Sequence, residues 1–503
     1  MATNLYNELF CTLSPPLKSI TTMKIPLIFS ILWLSVLTSP VALGADFQDG
    51  LTAIKKGSFE SALSALKPLL KQNIPAAQYN LAVMFDNGLG VPQDVQKAFN
   101  WYQLAAEQGD GNAQSNLGAL FEEGTGTGKD LVAALKWYTK AADQDVPSGQ
   151  YNLGLLYFKG LGVAQDYNVA AKWFKRAANQ GLAIAQTNLG LMLDHGLGGT
   201  QDFVLAQHWY TLAANQGDAS AQYNLGLLFK DGLGTPQNYE TALKWYNLAA
   251  DQGDSDSQIA LALMHKNGLG TAQDFQAAVY WYKLAANQGV ADAQYNLGLM
   301  YKTGISVSQN LKVAAKWFEK AANQGEAGAQ HNLGLMHKNG LGAPQDDKMA
   351  AYWYEKSAEQ GITSAQYDLA LMYGNGIGLK QSFATSLKWM SLAAKGGEAE
   401  AQYNLASMYK NGVGVEQSDK IAIYWYAQAA DRGSTSAQFN LGLMHYNGQG
   451  TEQDNGSAYV WWSLAAAGGH VGAQNNLTIV AQTIPAENLD GIEAYIKAWK
   501  PKP

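Results

Sequence analysis

The chain has 503 residues, 52 of them glycine, with 47% hydrophobic and 15% charged residues and a formal net charge of -7 from 34 Lys+Arg against 41 Asp+Glu. That balance belongs to a folded chain rather than a disordered one. With acid in excess and only two of its 34 basic residues arginine, Arg176 and Arg432, it offers no global field for nucleic acid. The single cysteine, Cys11, excludes an intramolecular disulfide and a cysteine metal cluster, so stability rests on packing alone.

In chain order, the first element reads as an export signal. Lys24 precedes the apolar run 25–37, and the small residues from Ser39 to Ala45 suit cleavage after Gly44 or Ala45. Residues 1–45 are therefore expected to leave the mature chain, with Met23 as the initiator and residues 1–22 an upstream extension. An uncleaved anchor is the alternative, because no charge falls between Lys24 and Asp46. The mature protein is expected in the periplasm or beyond the cell, with no second run long enough to span a membrane.

From there the sequence repeats. A glutamine returns every 36 residues without a break, from Gln78 and Gln114 to Gln438 and Gln474, and a tryptophan follows 23 residues later in each unit from Trp101 to Trp461. A period this strict means a stack of supersecondary units, each burying its apolar face on its neighbours. In the unit beginning at Gln222, Ala221, Leu225, Gly226 and Phe229 fall at helical spacing, and Gly232 ends this helix A. Asn238 then caps a helix B whose buried stripe is Ala242, Trp245, Tyr246, Ala249 and Ala250. The capping position carries Asp, Asn or Ser in every copy, from Asp94 to Asp454, so each helix B has an acceptor for its orphan amides. A Gly or Ala at the Gly226 position lets helix A approach helix B closely, while the tryptophan fills the space between repeats.

The pattern A-Q-Y-N-L-G-L-M-Y-x-x-G-x-G-x-x-x-D followed by A-x-x-W-Y-x-x-A-A-x-x-G, as in residues 293–310 and the helix after them, resembles the Sel-one-like repeat (SLR), a tetratricopeptide relative. The resemblance implies an all-α, right-handed α/α solenoid of about eleven 36-residue helix pairs over residues 76–474. N-terminal capping helices are expected at 46–75, including a terminal helix B from Phe59 to Gln72, and a closing helix and tail at 475–503, broken at Pro485. Two copies depart from the pattern: Ser306 replaces a loop glycine and Asp145 a helix-ending one, so those joints are expected to bend or pack differently.

Chemistry is scarce on this scaffold. Gly232-Leu233-Gly234 has the look of a phosphate loop, but it joins two helices and recurs in nearly every copy, so it is a turn. His265, His337 and His445 take a slot held elsewhere by Phe229 or Tyr301, and His331 replaces a tyrosine such as Tyr295, which makes them packing residues rather than ligands. Carboxylates serve mainly as caps, with no repeated acid/base pair. The expectation is a non-enzyme without metal or cofactor.

Recognition is sought where copies differ on one exposed face. By the resemblance, helix A lines the ligand groove, which places Ser220, Tyr223, Asn224, Leu227, Lys230 and Asp231 toward it. Asn recurs at the Asn224 position, including Asn296 and Asn332, either as a hydrogen-bond ladder between repeats or for peptide capture. The Lys230 position reads Asp86, Glu122, Phe158, Asp194, Lys230, Lys266, Lys302, Lys338, Gly374, Lys410 and Tyr446 along the stack. Lysine there suits the helix dipole, but Asp and Glu do not, and the run points to a groove that binds acidic peptide or anionic glycan. The candidate binding residues are Lys230, Lys266, Lys302, Lys338, Lys410, Asn224, Asn296, Asn332, Tyr223 and Tyr295. The expected function is an exported, monomeric adaptor binding proteins or peptides, serving envelope assembly, signalling or host interaction; the alternatives are a glycan-binding or exopolysaccharide-assembly protein and, last, a cell-wall hydrolase.

Overall fold

The structure, a computed structural model, describes residues 45–502. The export segment, the Met23 start and Cys11 lie outside the described residues. Among the described residues there are 26 α-helices, one short 3-10 turn and no strand. None of these helices is long and apolar enough to cross a membrane. The chain divides into two compact units, an N-terminal one through Met264 with Gly268–Ala272, and a C-terminal one from Gln273 onward with His265–Asn267. Inside each, helices pack successively as antiparallel pairs, such as Ala219–Asp231 with Tyr239–Asp251 and Ala327–Asn339 with Asp347–Glu359.

The helix limits follow from local chemistry. Asp94, Asp130, Asp166, Asp202, Asn238, Asp274, Asn310, Asp346, Ser382, Ser418 and Asp454 each accept a backbone N–H of the helix B they precede, a bond worth about 1 kcal/mol. Helix A ends at a left-handed glycine, Gly232 at φ 71° in the copy above. The loop that follows is pinned by its glutamine: Gln237 Nε2 donates to the Lys230 carbonyl at 2.7 Å.

Packing rests on the close approach that the small residue of helix A permits. A Cβ on Gly226 would stand 2.6 Å from the Tyr246 ring, and one on Gly334 2.6 Å from Tyr354. The aromatic that helix B buries completely is therefore the one after the tryptophan. Tyr102, Tyr210, Tyr246 and Tyr354 are 0% exposed, whereas the best-covered of the repeated tryptophans, such as Trp137 and Trp353, keep an edge at the surface. Full burial of such a ring is worth roughly 1.5–3 kcal/mol. The tryptophans join clusters that reach into neighbouring repeats, as Trp137 does with Ala82 and Tyr102. Cations cover their outer faces, Lys140 at 4.4 Å from Trp137 and Lys320 at 4.3 Å from Trp317. On helix A, Leu228 is buried where the spacing had placed Phe229, which is only half-covered.

The glutamine that marks the register closes the polar accounts of the core. Gln114 donates to the Ala106 carbonyl of the preceding helix B and accepts from Gln144 at 2.7 Å; Gln186 with Gln216 and Gln330 with Gln360 do the same. The expectation of altered joints at Asp145 and Ser306 is corrected. Both adopt the left-handed conformation of the glycine they replace, at φ 56° and 57°, and the flanking helices keep 13 residues. Asp145 is held there by Arg176 at 2.7 Å and Gln150 at 3.0 Å.

At the start, helices Ala45–Lys55 and Phe59–Lys71 pair, the second burying Ala62, Leu66 and Leu69. At the end, helix Val471–Val480 passes through a 3-10 turn and Pro485 into helix Ala486–Ala498. The last residues fold back, and the Lys502 amide donates to the Asp431 carbonyl at 2.8 Å.

Candidate functional site

The position held by Lys230 is next to last in helix A, and the residue 16 further on is the buried aromatic of helix B. In the N-terminal unit this pairing explains the acids. Tyr102 donates its hydroxyl to Asp86 at 3.3 Å, Tyr138 to Glu122 at 2.8 Å and Tyr210 to Asp194 at 3.3 Å. Where the aromatic is Phe174 and has no hydroxyl, the partner position is Phe158, with ring centroids 6.3 Å apart. Burial pushes the Asp86 and Asp194 carboxyls above their usual range. The charge sequence read as a polarised groove thus has an internal cause over its acidic part. A carboxylate stands there because a buried phenol needs an acceptor.

Lysine at the same position leaves that phenol unserved. Tyr246, Tyr282 and Tyr354, 16 residues after Lys230, Lys266 and Lys338, have buried hydroxyls with no partner among the described residues. Tyr426, after Lys410, instead shares a hydrogen bond with Ser407 at 2.9 Å.

The lysines themselves differ in what they hold. Lys302 donates to Asn332 Oδ1 at 2.6 Å, and Lys338 lies 3.4 Å from Asp368, so each reaches the helix A of the next repeat. Lys230 lies 3.4 Å from its neighbour Asp231. Burial lowers the ammonium pKa of Lys266 and of Lys302. Lys410 is half-buried.

The asparagines split between the two roles weighed for them. Asn188 and Asn404 bridge repeats by donating to Tyr151 at 3.0 Å and Tyr367 at 3.1 Å. Asn224, Asn296 and Asn332 turn back to the carbonyls of Ser220, Asp292 and Gly328 in their own helix. Tyr223 and Tyr295 are half-buried, with their rings 5.8 Å from Tyr246 and 6.0 Å from Phe318. They form an aromatic floor rather than free hydroxyls, and burial raises the Tyr223 pKa.

One cluster was missed from the sequence. His331, Asp368, Lys338 and Ser364 join successive helices A: His331 Nε2 is 3.0 Å from Asp368 Oδ2, and Ser364 Oγ is 3.4 Å from His331 Nδ1. The signal was Asp368 itself, a carboxylate at the asparagine position, opposite a histidine at the tyrosine position. Asp368 meets both His331 and Lys338 and neutralises the lysine run locally at Lys338. The other packing histidines sit in the aromatic slot, where His265 and His445 bury Nδ1 with no partner among the described residues. Among the described residues no group of three or more His, Cys, Asp or Glu side chains is placed to hold a metal ion.

Eleven consecutive stretches, from residues 75–110 to 435–470, match the Sel1 repeat family model. The chain is similar to the crystal structure of c5321, a protective antigen present in uropathogenic Escherichia coli strains displaying an SLR fold: 32% identity over 87% of this chain and 95% of that one, TM-score 0.76. A Sel1 repeat protein from Oxalobacter formigenes shares 34% identity over 69% of this chain and 99% of its own, with a TM-score of 0.49. Comparison with curated proteins gives no match.

Proposed function

The chain belongs to the Sel1 repeat family, and from that premise we propose that it is a non-catalytic, exported scaffold that binds acidic protein or peptide segments along the helix A face of its lysine-bearing repeats. Sel1 repeat proteins mediate protein–protein interactions. That the E. coli relative is a protective antigen supports the exported reading, because an antigen that protects is one that antibodies reach.

The observation that carries the acidic partner is the cation row at one register of helix A, Lys230, Lys266, Lys302, Lys338 and Lys410. Lys266 holds its ammonium half out of water, with its pKa lowered by desolvation, and among the described residues no carboxylate is within salt-bridge distance of it. Such a cation gains most from an incoming anion.

The test uses residues 46–503 and a fluorescein-labelled peptide of alternating Glu and Gly, followed by anisotropy against salt. The wild type is expected to bind, with affinity falling as salt rises. Changing Lys266, Lys302 and Lys338 together to Glu is expected to abolish that binding. Equal affinity of the two proteins overturns the proposal.

A further inference from the structure

We infer that the positions Lys230 with Tyr246, Lys266 with Tyr282 and Lys338 with Tyr354 are carboxylate sockets, each taking one Asp or Glu side chain of the partner between ammonium and phenol hydroxyl. The inference rests on the proposed binding of acidic segments and names the atoms that do it.

The protein contains its own template for the bound state. At Asp86, Glu122 and Asp194 a side-chain carboxylate from helix A sits on the hydroxyl of the buried tyrosine of helix B, at 3.3, 2.8 and 3.3 Å. The sockets keep the tyrosine, its burial and the helix pairing, but exchange the carboxylate for a lysine. Tyr246 and Tyr354 are 0% exposed and Tyr282 1%, and their hydroxyls have no acceptor among the described residues. Burying a phenol hydroxyl unpaired is unfavourable, and Phe fills the same slot at Phe174 and Phe318. A hydroxyl retained there serves an acceptor that comes from outside.

The lysine closes the socket and supplies the charge. Lys338 Nζ lies 5.9 Å from the Tyr354 ring centroid, so its flexible stem roofs the ring and must swing aside to admit a carboxylate. The incoming oxygens then receive one O–H and one N–H donor. A lysine whose partner position carries no hydroxyl, such as Lys302 with Phe318 16 residues further on, contributes charge but no socket. Asp231 already faces Lys230 and Asp368 faces Lys338, each at 3.4 Å, so the partner competes with a carboxylate of the chain at those two sockets.

The experiment compares two triple variants with the same Glu-Gly peptide, reading anisotropy and urea unfolding on each. Tyr246→Phe, Tyr282→Phe and Tyr354→Phe together are expected to weaken binding by about tenfold or more, from three lost hydrogen bonds to a charged group. Their midpoint of unfolding should stay level or rise. Tyr102→Phe, Tyr138→Phe and Tyr210→Phe together should lower the midpoint and leave affinity alone. If the socket triple binds as the wild type does while the lysine-to-glutamate variant does not, the sockets are overturned and the scaffold reading stands. If the wild type fails to bind the peptide, both fall. A socket triple that loses as much stability as the acid-site triple also overturns the inference, since its hydroxyls were then already paired. Tyr246→Phe alone, with its single socket, repeats the test if the triple misfolds.

Discussion

Two repeats with the same backbone, one in each unit, solve the same problem in opposite ways. In the first, Tyr210 is buried by its helix pair and donates to Asp194 from the end of helix A. In the second, Tyr354 is buried identically, but Lys338 stands in place of the acid, and the carboxylate that faces it, Asp368, comes from the next repeat. The pair shows that a charge at a surface-facing position of a solenoid can be set by what lies beneath it. The acidic repeats are internally complete. In the repeats of Lys230, Lys266 and Lys338 the buried phenol hydroxyl has no acceptor among the described residues.

The comparison breaks most easily at Asp194. Asp194→Lys removes the acceptor of Tyr210 and is expected to destabilise the protein by roughly 1–3 kcal/mol, read as a lower urea midpoint with unchanged slope. Lys338→Ala is expected to stay within about 0.5 kcal/mol of wild type by the same measurement, because Asp368 keeps its contact with His331 and the Tyr354 hydroxyl has no acceptor to lose. Equal losses at the two positions would abolish the distinction between them. A smaller gain is expected at Ser306, which holds φ 57° without being glycine: Ser306→Gly should stabilise by about 1 kcal/mol. Asp145→Gly should gain less, since it gives up the contacts to Arg176 and Gln150.

The smallest effect is one of pH. Burial lowers the His445 pKa from 6.5, against the opposing pull of Asp454. The unfolded chain then binds this proton more readily than the folded one, so the stability this residue contributes is present above pH 6.5 and is lost as pH falls through the window just below it. His445→Phe, which restores an aromatic of the kind found at Phe229, should flatten the decline in thermal midpoint between pH 7 and pH 5. A variant that declines as steeply as wild type would show that His445 titrates normally.

Much of this was legible along the chain. The 36-residue period, the caps at Asp94 through Asp454 and the small residue facing helix B are local or strictly periodic signals, and each sits where its spacing put it. The role of the marker glutamine was not legible, because Gln114 meets Ala106 and Gln144 from different helices, and only the packed repeat brings an amide to both. The last repeats make the same point. Gly396, Arg432 and Gly468 replace the helix B glutamine, and Gln402 Oε1 is left buried with no partner among the described residues. The order of burial between Trp137 and Tyr138 was also hidden, since both lie on the same stripe and a helical wheel does not say which one meets the glycine of helix A.

The sequence by itself determined the helix pairs, their number and their limits. Capping, left-handed glycines and a 3.6-residue apolar period act within a few residues of chain, and a strict repeat copies their outcome. The tertiary structure alone decided what each charged residue is for. Asp194 and Lys338 occupy one register and differ only in what comes to meet them, Tyr210 in one case and Asp368 in the other. Those meetings join residues 16 and 30 positions apart across helix boundaries. Electrostatic and hydrogen-bond partnership depends on distance in space, which periodicity along the chain does not encode.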